Sequence, residues 1–272
     1  MEDLFPGFGL LDSDRSDYPT LNHWRPETHY DRLANTRMNG QVRFLEGCEE
    51  LGVIPGPAVM KQLAAYTDML LASKRHTSLI ADCDLDTIWV RHLLDSMTVV
   101  PMVNDVDRLI DIGSGAGLPG LVLALQCPGL RVTILEATAK KCLFIEQVIH
   151  VFSLENVDLI HDRAERAAHQ EAWRERFDMA VARAVAGLPA LLELLSPFVR
   201  VGGRVIAMKG AKAEREVEAS ARACEVLRLT MQSMEHPLPE IAPTACILSL
   251  SKEAATPPKY PRREGIPAKR PL

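Results

Sequence analysis

A chain of 272 residues is long enough to bury a substantial core and short enough for one large domain with an appendage. Hydrophobic residues at 47% and charged residues at 25% match ordinary globular proteins, which excludes a disordered chain and a bundle of membrane spans. Thirty-one basic against 36 acidic side chains leave a net charge of −5, which argues at face value against a partner as anionic as nucleic acid.

The six cysteines fall at 48, 83, 127, 142, 224 and 246, with no C-x-x-C pair. That spacing supports neither a zinc site nor a disulfide framework, so no metal is expected and a reducing, cytoplasmic setting is. The acidic start MEDLFPGF is unlike a signal peptide, and no apolar run reaches the roughly 18 residues of a membrane span.

Residues 1–35 mix Asp, Pro, Gly and Ser with isolated aromatics and read as a weakly ordered acidic extension. Residues 36–104 carry helical signals. Val42, Leu45 and Cys48 recur at three-residue spacing up to Gly52, and Pro57 suits the first turn of a second helix ending near Arg75. Asp86 is expected to cap a third, on which Trp89, Leu93 and Met97 form one apolar stripe. This is a small N-terminal helical subdomain.

Between residues 105 and 251 the pattern changes. RLIDIG, RVTILEA, NVDLIH, FDMAVA and GRVIAMKG are five short apolar strands, separated by helical stretches near 118–127, 138–152, 164–174, 188–199 and 211–223. Such alternation predicts an α/β fold with a parallel sheet and right-handed crossovers. Two further strands, near 225–235 and 245–251, lack a helix between them and so predict an antiparallel finish to a seven-stranded, mostly parallel sheet. Residues 252–272 contain five prolines and are expected to be an extended tail.

The sharpest motif is Leu109-Ile110-Asp111-Ile112-Gly113-Ser114-Gly115-Ala116-Gly117-Leu118-Pro119-Gly120: strand, glycine loop and helix start in order. Gly115, Gly117 and Gly120 satisfy G-x-G-x-x-G, so a dinucleotide site has to be weighed. Glu136, ending the second strand, suits a ribose diol in either kind of ligand. Asp111 discriminates between them. A carboxylate just before the first glycine opposes an anionic pyrophosphate and favours S-adenosylmethionine, which brings an ammonium and a sulfonium.

DIGSGAGLPG, with LEATAKKCLFIEQV, VARAVAGLPALL, MKG, the element Val90-Arg91-His92-Leu93-Leu94-Asp95-Ser96 and the closing KYPRREGIPAKRPL, resembles the bacterial 16S ribosomal RNA (guanine-N7) methyltransferase family, also called the glucose-inhibited division protein B family. The resemblance runs over about residues 40–272. Ser78 departs from it, standing where that family usually has Asn.

It implies a Rossmann-like S-adenosylmethionine-dependent methyltransferase fold and a substrate in 16S ribosomal RNA or a small-subunit assembly intermediate. It further implies cofactor contacts at Gly113 and Leu118, at Ala164 and Glu165 after the third strand, and at Arg183 after the fourth. For RNA it directs attention to Arg91, His92 and Lys209 around the cleft and to Lys259, Arg262 and Arg263 in the tail. Residues 252–272 hold six basic against two acidic side chains, so an acidic average conceals a basic patch expected to grip RNA independently of the cofactor. The same fold also serves methyltransferases of small molecules or proteins, and a non-catalytic RNA-binding module is a third reading. Guanine N7 has a free lone pair, so no catalytic base is expected.

Overall fold

The computed structural model describes residues 40–73, 79 and 84–272; the acidic extension and Ser78 lie outside the described residues. α1 (Gly40–Glu50), α2 (Pro57–Ser73) and α3 precede the sheet. α3 starts as Leu85–Thr87, widens into a π-helix over Ile88–Leu94 and closes as Asp95–Met97.

Seven strands follow: β1 (Arg108–Ile112), β2 (Arg131–Glu136), β3 (Val157–His161), β4 (Phe177–Arg183), β5 (Val199–Lys209), β6 (Leu229–Glu235) and β7 (Cys246–Lys252). The sheet order is β3-β2-β1-β4-β5-β7-β6. β1 to β5 pair in parallel, while β7 runs antiparallel to both β5 and β6. The antiparallel finish has a simple cause: the ten residues from 236 to 245 are too few for a parallel crossover.

Between the strands lie α4 (Gly120–Gln126), α5 (Ala139–Phe152), α6 (Ala164–Ala167), α7 (Leu188–Leu195), α8 (Ala213–Glu218) and α9 (Ala221–Leu227), with α10 (Ile266–Lys269) after β7. Strand alternation divides the core into two layers. Leu109, Val132, Ile134, Met179, Val181, Ile206 and Met208 face α1–α5, and Ile110, Ile112, Ala180, Ala182, Val205 and Ala207 face α6–α9.

Several elements depart from the sequence reading, each for a local reason. Asp84, not Asp86, caps α3 by accepting the Thr87 N–H at 2.7 Å. Asp86 instead accepts the Gly40 N–H at the start of α1, also at 2.7 Å, tying the two helices together. In α1 the buried face is Phe44, Gly47 and Cys48, leaving Val42 and Leu45 half-buried. The helix expected over 164–174 stops at Ala167, and Arg174 takes the Ala168 carbonyl at 3.1 Å. The helix expected over 211–223 is broken in two, where Ser220 Oγ donates back to the Glu216 carbonyl at 2.5 Å.

Residues beyond β7 are not an extended tail. They turn back over α7 and finish in the single turn of α10, with Thr256, Tyr260, Pro261 and Pro267 buried. Lys252, at the hinge, is itself fully buried and satisfied by Glu175 at 2.7 Å and by the carbonyls of Ser196 and Val199.

Phe44 is fully buried and packs edge-on against Trp89, with ring centroids 5.1 Å apart. Phe44→Ala therefore removes a core ring that its neighbours cannot replace. A loss of about 3–5 kcal/mol in urea unfolding is expected, and a loss below 1 kcal/mol would mean that α1 contributes little to the core.

Candidate active site

The loop between β1 and α4 is fixed from three directions. From below, Asp111 lies on the same strand face as Leu109 and so points under the start of α4. There it is fully buried and accepts the Gly120 N–H at 2.8 Å and the Ser114 hydroxyl. From the side, Glu136 at the end of β2 accepts the Gly115 N–H at 2.9 Å and the Thr138 N–H at 2.8 Å. From above, the buried Tyr66 of α2 donates its hydroxyl to the Ala116 carbonyl at 2.7 Å.

Two glycines are obligatory in this arrangement. Gly117 has φ +97°, and a Cβ there would meet Leu121 at 2.2 Å. A Cβ on Gly120 would sit 2.8 Å from the Asp111 carboxylate it caps. Leu118 is buried against the helical layer and Gly113 is covered by Val185.

Burial pushes the Asp111 carboxyl up to about 6, against the lowering effects of Ser114, the Gly120 N–H and Arg183, while Glu136 raises it further. Desolvation therefore outweighs two hydrogen bonds. Asp111 Oδ1 has no hydrogen-bond partner among the described residues, so the loop rests on a carboxylate with unused capacity for a donor or a cation.

Arg183 ends β4 with the orientation of Met179 and Val181, toward the helical layer. Its Nη1 donates to Asp95 Oδ2 at 3.1 Å and to the Arg91 carbonyl at 3.0 Å, which joins α3 to the carboxyl edge of the sheet beside the glycine loop. Within the same group, burial followed by the charges of Arg183 and Arg91 brings His92 down to about 4. The imidazole is thus neutral at physiological pH. Arg91 is exposed and makes no ion pair among the described residues.

Lys209 does not belong to this cleft. In the β4–β5 register Arg183 pairs with Met208, so period-2 alternation sends Lys209 through the opposite face. There it meets Glu216 at 2.6 Å and the Ala186 carbonyl at 2.8 Å, with only 8% of its side chain exposed. It latches the loop after β4 and cannot grip phosphate.

The third wall is the turn after β3. Asp162 N–H donates to the Glu136 carbonyl at 3.2 Å, which places Ala164 and Glu165 beside the second acid. Glu165 Oε1 accepts the Gly265 N–H at 2.9 Å, so part of this carboxylate is committed to the closing segment. Arg262 is likewise withdrawn from any free basic patch, because it is paired with the fully buried Glu193 at 2.6 Å. Lys259 and Arg263 remain exposed.

Asp111, Gly113, Gly115, Leu118, Glu136, Ala164, Glu165 and Arg183 thus lie together at the carboxyl ends of β1 to β4, where the strand order reverses and ligands bind in doubly wound sheets. Tyr66 belongs to none of the sequence motifs, and Asp95 is present in them only as a member of the Val90–Ser96 element. Tyr66 had no local signal, since its partner is 50 residues away. No cluster of three or more His, Cys, Asp or Glu suited to a metal occurs among the described residues, and no helix of theirs is long and apolar enough to cross a membrane.

A family model described as rRNA small subunit methyltransferase G matches residues 59–240. The chain is 38% identical over 227 residues to ribosomal RNA small subunit methyltransferase G of Moorella thermoacetica, covering 82% of this chain and 95% of that protein. It is 36% identical over 238 residues to the protein of the same name from Alkaliphilus metalliredigens, covering 86% and 100%. The crystal structure of a candidate O-methyltransferase from Klebsiella pneumoniae superposes with a TM-score of 0.50 at 15% identity, covering 79% of this chain and 99% of that one. That last likeness is one of fold.

Tyr66→Phe deletes this hydrogen bond between α2 and the loop while leaving the ring in place. The expected cost is about 1–3 kcal/mol of stability, since the Ala116 carbonyl loses a buried donor. Differential scanning calorimetry of the two proteins checks it; an unchanged melting temperature would show that the loop does not depend on this bond.

Proposed function

The chain belongs to the rRNA small subunit methyltransferase G family, and from that premise we propose that it transfers the methyl group of S-adenosylmethionine to N7 of one guanosine in 16S ribosomal RNA. The observation that carries the cofactor reading is Asp111: a buried carboxylate with an unpartnered oxygen, beneath a loop whose backbone is held open by glycine. Such a site suits a cationic ligand and opposes a dinucleotide's pyrophosphate. Glu136 supports the same reading. Each of its oxygens accepts one N–H, which leaves a lone pair on each for a ribose diol.

S-adenosylmethionine supplies an electrophilic methyl on a sulfonium, and the methyl moves to the N7 lone pair with no proton to remove. The protein's contribution is then alignment, exclusion of water and management of charge. Asp111, Gly113, Gly115, Leu118 and Glu136 hold the methionine and ribose portions in this reading, and the turn at Ala164 and Glu165 meets the adenine. Arg183, fixed by Asp95 and the Arg91 carbonyl, shapes the opening next to the acceptor. His92, neutral at working pH, adds no positive charge where the base itself becomes cationic.

RNA phosphate is met by Arg91, which is exposed at the mouth, and by Lys259 and Arg263, with His92 beside Arg91 as a hydrogen-bonding neighbour. The substrate is 16S RNA free or within a small-subunit assembly intermediate, and the enzyme acts in the cytoplasm.

Two outcomes test this. RNA carrying 7-deazaguanine at the target lacks the nucleophile and should accept no methyl, whereas continued transfer would refute N7. Because the free protein's Asp111 is protonated below about 6 and a cationic ligand favours its ionised form, cofactor affinity should weaken roughly tenfold per pH unit below that value. In Asp111→Asn, calorimetric titration should find weaker binding that no longer varies between about pH 5 and 7, below the range where the ligand's own ammonium titrates. The linkage to folding has the opposite sign: a raised carboxyl stabilises the unliganded fold most in acid, and that contribution is lost as pH rises through about 6.

A further inference from the structure

The segment after β7 directs its polar groups inward and toward one wall of the crevice. Glu193, in the middle of the apolar α7, is completely buried. Its carboxylate accepts the Arg262 backbone N–H at 2.7 Å, Arg262 Nε at 2.9 and 3.1 Å, and Arg262 Nη2 at 2.6 Å. Arg174 holds the carbonyls of Thr256 and Tyr260 at 2.8 and 3.0 Å, and His169 Nε2 lies 2.9 Å from the Pro261 carbonyl. Leaving this buried carboxylate without its partner would be costly, and the four contacts that satisfy it all come from Arg262.

From that anchor the chain runs three residues to Gly265. There, φ of +75° turns its N–H onto Glu165 Oε1 at 2.9 Å. Neighbouring Glu264 meets Arg163 at 3.0 Å, but with side chains 48% and 55% exposed that pair contributes little. The contact that matters is therefore Gly265 to Glu165. It bears on a turn already joined to the glycine loop, because Asp162 donates to the Glu136 carbonyl and the Glu136 carboxylate accepts from Gly115.

We propose that Arg262 is a positioning residue for the cofactor: through Glu193 and Gly265 it straps the Ala164–Glu165 turn in its binding conformation, so the closing segment sets cofactor affinity. This rests on the cofactor reading given above. It also reverses the expectation that the basic tail serves RNA alone and can be separated from cofactor binding; of the tail cations assigned to RNA, Lys259 and Arg263 stay exposed for that purpose. Thermodynamic reciprocity gives the strap a second signature. If docking of residues 261–265 strengthens cofactor binding, the cofactor must protect that docking by the same factor.

The test uses the full chain and S-adenosylhomocysteine as probe. Arg262→Ala leaves Glu193 buried without its partner, so the double variant Glu193→Leu/Arg262→Ala accompanies it and removes the anchor without stranding a charge. Both, checked as folded by circular dichroism, should bind the probe about 5- to 150-fold more weakly than the unmodified protein, the usual size of a coupling between sites. Their affinity for 16S RNA should stay within about twofold. In the unmodified protein, saturating probe should slow hydrogen exchange of the Gly265 amide by the same factor.

A folded double variant that binds the probe as tightly as the unmodified protein overturns the proposal. So does a Gly265 amide indifferent to the probe, or a variant whose RNA affinity falls while its probe affinity holds. If the unmodified protein does not bind the probe at all, the cofactor reading fails first and the strap with it.

Discussion

Burying Asp111 at the end of β1 is the constraint around which the crevice is organised. Its carboxylate stops the strand and starts α4 by taking the Gly120 N–H and the Ser114 hydroxyl. That demand forces a glycine at 120, where any side chain would collide with the acid. The chain must then return to the acid within nine residues, which requires the left-handed conformations at Gly113, Gly115 and Gly117. Two donors do not offset the loss of water, as the raised carboxyl indicates. The loop thus stores a negative potential that the folded protein does not neutralise, which is a liability for stability and an asset for binding a cation.

Around that acid, the helices before the sheet act as part of the site. Tyr66 holds the roof of the loop, and Asp95 with the Arg91 carbonyl holds Arg183. The π-helical stretch at Ile88–Leu94 carries Arg91 and His92 into this position, in keeping with the frequency of such bulges at functional sites. These helices are consequently tied both to Arg183 and to the glycine loop: a shift in α3 would move Arg183, and a shift in α2 would move Ala116.

Charge is distributed with the same economy. Of the cations that sequence placed near RNA, Lys209 and Arg262 are consumed by Glu216 and Glu193, while Arg91, Lys259 and Arg263 stay in solvent. The closing segment is basic in composition but serves the body of the protein first. An acidic protein can therefore meet RNA through a few exposed cations, without the wide positive surface of a non-specific binder.

Local pattern by itself determined a large part of this protein. Short apolar runs alternating with helical stretches marked all seven strands to within a few residues, and the antiparallel finish followed from the lack of a helix between the last two. Asp111, the glycines and Glu136 were legible because strand, turn and acid are contiguous in the chain. The face that Lys209 occupies was not legible in this way, because it depends on the β4–β5 register that pairs Arg183 with Met208. Tertiary structure alone decided the rest. Tyr66 and Glu193 are marked by nothing nearby, and Asp95, though part of the Val90–Ser96 element, has no stated role there: each gains its meaning from a partner 50 to 88 residues distant. A glutamate in a leucine-rich helix reads as a solvent-facing residue until an arginine from the end of the chain is folded onto it. Covalent neighbours set backbone conformation and periodicity, but a buried charge is permitted only by what packs against it, and that is a property of the completed fold.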